Sequence, residues 1–254
     1  MFEIERRTVE RLDFIVAGAQ KSGTTALHYF LKRHPQITLP DREEMHFFDN
    51  EEIFSRPPID YDLLHRHFPR RLRSTSVVGE VTPSYLYWPR AIERIHIYNP
   101  RIKLVIVLRN PIDRAFAHWN MQRFKEREPL DFLDALREER KRIVELAPID
   151  ARRFAYVDRG FYSTQLDRVF KFFPREHVHI VKFENFRDKK QETLASIFDF
   201  LRVKRIRNIR DKDRNVVPYQ RGMRPDEREY LFGVFSGEIA QLEQMLDWDL
   251  SDWT

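Results

Sequence analysis

Residues 14–25 read FIVAGAQKSGTT, an apolar run that ends in Gly18 and Gly23 with Lys21 and Ser22 between them and Thr24 and Thr25 beyond. A strand that breaks at glycines into a helix presents backbone N–H groups and a positive helix end, the usual means of holding a phosphate or other anion. Gln20, Ser22, Gly23, Thr24 and Thr25 line such a loop with donors, and Lys21 would neutralise charge on the bound group. In a nucleoside-triphosphate loop, G-x-x-x-x-G-K-[ST], lysine directly follows the second glycine. Here Thr24 stands there and the lysine lies inside the loop. That displacement points away from ATP or GTP hydrolysis and toward a different phosphorylated donor. A tight strand–helix turn carrying a surface lysine is the plainer alternative.

A second cluster is LVIVLRNPIDRAF at 104–116, where an apolar strand runs straight into Arg109 and Arg114 follows in the next helical turn. Two guanidiniums at the carboxyl edge of a sheet suit a second anion pocket; pairing with surface acids such as Asp113 is the competing reading. A strand of this kind often ends in the aspartate that holds Mg²⁺ in P-loop enzymes, and Arg-Asn replaces it. The third cluster, EEMHFFD at 43–49, alternates Glu44 with His46 before an aromatic pair. A carboxylate against aromatic surface gains the raised pKa of a general base, although a docked acidic loop has the same spacing. GEVTPSYL at 79–86 ends a strand in Glu80, and RGFYSTQL at 159–166 opens a helix with Tyr162. The first fits a cleft wall or a strand end with a turn around Pro83 equally, whereas the aromatics of the second are more often core than a base-stacking platform.

The elements that must position these groups alternate. Apolar runs at 12–17, 76–79, 103–108 and 177–183 have the length and Val/Ile content of strands in a parallel sheet covered on both faces. Helical periodicity predicts helices over 24–33, 89–98, 111–126, 131–145, 162–173, 188–202 and 225–247. Asn110 and Pro111 form a capped start for one of them. The fold class expected is α/β: a three-layer, P-loop-like arrangement with a central parallel sheet flanked by helices, ligands at the strand carboxyl ends, and one domain over 1–254.

With 254 residues, 42% hydrophobic and 33% charged, the chain suits a soluble globular domain. Its formal net charge of +5 is accounted for by an anionic small molecule as well as by nucleic acid, and no nucleic-acid partner is expected. The absence of cysteine excludes thiolate metal sites and disulfides and suits a reducing, cytoplasmic setting. No run approaches the roughly 20 apolar residues of a membrane span.

Taken together, these segments resemble the sulfotransferase family that uses 3′-phosphoadenosine-5′-phosphosulfate (PAPS), and within it the branch of heparan sulfate sulfotransferase domains and their bacterial relatives. GAQKSGTTAL resembles the family's 5′-phosphosulfate loop, LRNPIDRAFAHW its 3′-phosphate segment and EEMHFFD the segment of its catalytic glutamate; GEVTPSYL, RGFYSTQL and DLSDW follow in order. The resemblance implies that Lys21 stabilises the bridging oxygen as the S–O bond breaks, that Gln20 and Ser22 to Thr25 cradle the same group, and that Arg109 binds the 3′-phosphate. It makes Glu44 the base, with His46 beside it, and adds Arg114, Tyr162, Arg221 and Gly222 to the donor site. PAPS is the implied donor, PAP (3′,5′-ADP) the product, no metal is required, and the acceptor is a small molecule or glycan. Three departures stand out. Ala117 occupies the place of a family serine that contacts the 3′-phosphate, Val81 replaces the lysine of E-K-T-P, and a family disulfide near the C-terminus has no counterpart. The competing assignments are a P-loop kinase or NTPase, and a non-catalytic polyanion binder using Arg70, Arg71, Arg73 and the basic stretch 202–214.

Overall fold

The computed structural model describes residues 6–7, 9–69, 72–73, 76–146, 148–206 and 218–253. Arg70, Arg71 and most of the basic stretch 202–214 therefore lie outside the described residues. Two compact units divide the chain: Met1–Leu108 with Arg168–Asn215, and Arg109–Asp167 with Val216–Thr254.

The first unit is built on five parallel strands, β1 (Phe14–Gly18), β2 (Ile37–Thr38), β3 (Val77–Val81), β4 (Lys103–Leu108) and β5 (Val178–Lys182), in the order β2-β3-β1-β4-β5. The strand that carries the glycine loop is therefore central, where both faces must be apolar. Phe14 and Val16, Val105 and Val107, and Val181 turn to one face, against Leu27, Phe30 and Leu31 of helix α1 (Thr24–Leu31) and Ile197 and Phe198 of the helix Lys190–Leu201. The alternate residues Ile15, Ala17, Leu104, Ile106 and Leu108 are also fully buried, on the opposite face. The expected central parallel sheet flanked by helices is what the chain forms. β2 escaped notice in the sequence because two residues at a sheet edge carry no periodicity.

The second unit is helical. Helix α2 (Pro111–Phe124) begins where expected, with Asn110 accepting from the Ile112 N–H at 2.9 Å and Pro111 in the first turn. α3 (Phe132–Glu145) follows, and α4 (Pro225–Leu246) starts at Pro225 with Glu227 accepting the Arg224 N–H at 2.7 Å. Glu238 of α4 takes both the N–H and the hydroxyl of Ser163 at 2.7 Å, and so caps the start of the helix Tyr162–Phe172.

Candidate active site

Gly18 closes β1, and a methyl group there would sit 2.6 Å from the Leu86 Cβ, so close packing rather than a turn demands glycine. Gly23, at φ 81°, is the residue from which α1 starts, and a side chain would strike the Phe183 ring. The first intrahelical bond runs from Leu27 N–H to Gly23 O, which leaves the N–H groups of Thr24, Thr25 and Ala26 at the helix mouth. Ser22 differs from the sequence expectation, because its N–H turns inward to Ala19 O at 3.2 Å. Its hydroxyl is instead the available group. Ser22 Oγ and Gln20 Oε1 are buried and have no hydrogen-bond partner among the described residues. Buried polar atoms are nearly always paired, so the Ser22 hydroxyl, a donor beside a helix N-terminus, fits an anionic group, whereas Gln20 Oε1 can only accept and calls for a donor.

The EEMHFFD segment comes to the same place. Thr25 hydrogen-bonds the Glu43 carboxyl, and His28 Nδ1 lies 3.9 Å from Glu43 Oε2. Burial raises the Glu43 pKa, against the opposing pull of Thr25. His28, one turn into α1, is lowered to about 4 by burial and then by Lys32, while Glu44 pulls the other way, so it is a neutral imidazole. Glu44 reaches His46 Nε2 at 3.3 Å, and His46 Nδ1 meets Asp49 Oδ2 at 2.9 Å. Burial alone would lower His46, but its hydrogen bonds to Asp49 and Glu44 outweigh it and hold the ring at about 9. His46 is therefore an imidazolium between two carboxylates. The aromatic surface expected beside Glu44 lies elsewhere: Phe47 and Phe48 are buried with Phe54, Tyr61 and Tyr98, and the neighbour of Glu44 is the His46 ring.

Lys21 (φ 68°), Glu44 (φ 54°) and His46 (φ 52°) all adopt the left-handed backbone conformation. That region costs ordinary side chains energy and is retained where surrounding structure enforces it, commonly at functional sites. Among the described residues only Glu126, Arg202 and Asp247 share it outside glycine. Asp49, Glu43 and His28 escaped the sequence reading. The doublet Glu43-Glu44 and the His46-to-Asp49 spacing of three were the signals that could have found them.

Within the second unit the predicted donor residues fare differently. Arg109 is half-buried, directly after β4. Arg114 is fully buried and donates to the Tyr156 carbonyl. Asp113, its suspected surface partner, pairs with Arg228 at 2.6 Å. Tyr162 is also fully buried, and its hydroxyl donates to the Arg109 carbonyl at 3.0 Å. Arg221 forks onto Glu227 at 2.8 and 2.7 Å and onto Asp131 at 2.7 Å, with its plane against Phe116 and Trp119. Gly222 is exposed, and its carbonyl accepts from Arg221.

Comparison with known proteins gives the site its family. The sulfotransferase domain family matches residues 11–213. The sulfotransferase from Alicyclobacillus acidocaldarius, a crystal structure, superposes with a TM-score of 0.82 at 32% identity and covers 96% of this chain and 99% of that one. Human heparan sulfate glucosamine 3-O-sulfotransferase 6 is 32% identical over 76% of this chain, and the membrane-associated sulfotransferase kil1 of Dictyostelium discoideum is 23% identical over 93%. The chain spans 52% and 65% of the lengths of those two relatives. Mouse sulfotransferase SULT7A1, solved with PAP, shares the fold at a TM-score of 0.53 and 16% identity. This chain belongs to the sulfotransferase domain family.

Proposed function

We propose that this sulfotransferase moves a sulfuryl group from PAPS to a hydroxyl or amine of an acceptor, with Glu44 as the base and Lys21 stabilising the leaving phosphate. One observation carries the reading. Lys21, Glu44 and His46 hold strained left-handed conformations around a helix mouth where the buried Ser22 hydroxyl has no partner among the described residues. When bound, PAPS supplies the sulfuryl group and a 5′-phosphate leaving group. The chain supplies the rest. Ser22 Oγ, Gln20, the Thr24 and Thr25 hydroxyls and the N–H groups opening α1 would hold the phosphosulfate, and Arg109 the 3′-phosphate. Glu44, oriented by the His46 imidazolium, takes the acceptor proton as the acceptor oxygen or nitrogen forms its bond to sulfur and the bridging S–O bond breaks. Lys21 and the α1 N–H groups stabilise the negative charge that develops on the phosphate oxygen. Such preorganised donors are worth about 2.7–4 kcal/mol each when removed.

The acceptor is proposed to be carbohydrate or another small hydroxyl- or amine-bearing metabolite. The heparan sulfate enzyme among the relatives favours the first, and the structure solved with PAP favours the nucleotide. Two measurements test the reading. Calorimetry should show PAP binding and no comparable binding of ATP with Mg²⁺; the reverse order would return the P-loop kinase assignment. ³⁵S-PAPS should label at least one acceptor in a panel of glycosides, desulfated glycosaminoglycan oligosaccharides and amino sugars.

A further inference from the structure

Glu80, at the carboxyl end of β3, is wholly buried, so it cannot touch a substrate, yet it sits at the start of a chain of hydrogen bonds that ends at the site. Its Oε2 accepts from the Thr82 hydroxyl at 2.8 Å and its Oε1 from the Tyr85 hydroxyl at 2.9 Å. The Tyr85 oxygen in turn accepts the backbone N–H of Phe47 at 3.0 Å and, more loosely, that of Phe48 at 3.4 Å. Ser84, next in sequence, donates to Asp49 Oδ2 at 2.6 Å, the oxygen that also holds His46 Nδ1. The GEVTPSYL segment thus grips EEMHFFD at its backbone through Tyr85 and at Asp49 through Ser84. Both grips fall just after Glu44 and His46.

Resting on the sulfotransfer reading above, we infer that Glu80 is a positioning residue for the transfer step: through the Tyr85 hydroxyl it fixes the backbone of Phe47 and Phe48, and hence the placement of Glu44 and His46. The physical reason lies in the single proton of the tyrosine hydroxyl. Because that proton is committed to the Glu80 carboxyl, the oxygen lone pairs must face the two N–H groups, and the polarised O–H makes them better acceptors. Without the carboxyl the hydroxyl hydrogen is free to swing toward the same N–H groups and repel them. Ring packing does not provide this. Phe47 and Phe48 interlock with Phe54, Tyr61 and Tyr98, which holds the side chains, but two left-handed residues immediately upstream need a fixed backbone to stay in that region. A displacement of about 1 Å in a reacting group costs on the order of 10²-fold in rate.

Burial pushes the Glu80 pKa up to about 7, against the pull of Thr82 and Tyr85; Asp49 raises it further and His46 lowers it. The carboxyl also acts electrostatically on Tyr98. Glu80 is thus linked to His46 by charge as well as by the Tyr85 tether, and two variants separate these links. Tyr85→Phe keeps the ring and removes the tether. Glu80→Gln removes the charge and keeps a carbonyl to accept from Tyr85.

The test is to titrate the His46 ring by NMR in wild type and both variants, to measure PAP binding by calorimetry, and to follow ³⁵S-PAPS turnover on an acceptor identified by the panel. In Tyr85→Phe the His46 pKa should fall by about half a unit or more as its carboxylates loosen, and kcat by about tenfold or more, with the PAP Kd within about threefold. Glu80→Gln should lower the His46 pKa while retaining more turnover than Tyr85→Phe. The inference is overturned if Tyr85→Phe leaves His46 and kcat unchanged, if PAP binding weakens in proportion to turnover, or if Glu80→Gln costs as much turnover as Tyr85→Phe. A wild type that neither binds PAP nor transfers label overturns the functional reading itself, and the His46 titration then decides the tether alone.

Discussion

Two regions rich in buried polar residues treat them in opposite ways. Around Ser22 and Glu44 in the first unit, a hydroxyl and an amide oxygen are buried without partners among the described residues, and three residues stand on strained backbone. Around α2 and α3 in the second unit, carboxylates are closed off by donors from their own unit. Glu128 accepts from Arg142 at 2.5 Å, from Tyr156 at 2.7 Å and from the Leu130 N–H at 3.0 Å. Glu139, raised to about 7 by burial, accepts the Val157 and Asp158 N–H groups at 2.7 and 2.8 Å. Arg221 is held by Glu227 and Asp131. A donor left unpaired at a helix mouth, as at Ser22, suits a ligand, while a carboxylate with several donors is holding the fold; an orphan alone does not decide, since Gln122 Oε1 on α2 also has no partner among the described residues. A motif of cations near an apolar strand cannot tell these apart.

That contrast can be broken by mutation. The largest effect is expected at Glu44: Glu44→Ala should lower kcat by about 10²–10⁴-fold while PAP affinity, measured by calorimetry, stays close to wild type. Near-normal turnover would remove Glu44 as the base. Lys21→Ala should cost about 3 kcal/mol of transition-state stabilisation, read as kcat/KM for PAPS. In the second unit the loss should fall on stability instead. Arg114→Met removes a buried guanidinium and its bond to Tyr156, and should lower unfolding free energy by about 2 kcal/mol in denaturant titration, with the PAP Kd of the folded protein unchanged. A weakened PAP Kd at full stability would place Arg114 in the donor site after all and erase the distinction between the regions.

The smallest effect is a pH dependence. His46 is raised from 6.5 to about 9, so its contribution to stability is complete below about 6.5 and is lost as pH rises through about 9. Glu80, raised from 4.5 to about 7, has the same sign in a lower window: the folded state holds its proton more tightly, and stability declines between those values. Below about pH 6.5 the buried histidines with lowered pKa, such as His28 and His34, act in the opposite sense, so the Tm should drift down above that, from about pH 6.5 to pH 9. His46→Gln should flatten the upper part alone; an unchanged upper slope would detach the imidazolium from Glu44 and Asp49.

Much of this arrangement was legible beforehand. Apolar runs of four to seven residues predicted β1, β3, β4 and β5 to within two residues, because strands buried on both faces must be continuously apolar. Asn110-Pro111 marked a helix start, because it pairs a local capping preference with a fixed φ. The displaced lysine of GAQKSGTT and the Glu44/His46 alternation led to the site. The surroundings of Arg114 were not legible, because its neighbours in sequence show only that it follows a strand end, whereas it bonds Tyr156, 42 residues away. The pairing of Arg221 was hidden in the same way, since its bond to Asp131 spans 90 residues. His28 and Asp49 were passed over because their significance lies in contacts with Glu43 and Ser84, from other segments.

By itself the sequence determined the long elements, the glycine-to-helix loop and the chemical type of the candidate site residues. Those properties are local: periodicity, capping and the φ freedom of Gly23 operate within a few residues. Tertiary structure decided which charges are available for a ligand. Only when β3 delivers Glu80, Ser84 and Tyr85 to residues 43–49 do Glu44 and His46 gain a fixed place. Only when α2 is packed within its own unit does Arg114 lose contact with solvent. Ionisation and orientation follow burial and partners, and both are set by chain segments far apart in sequence.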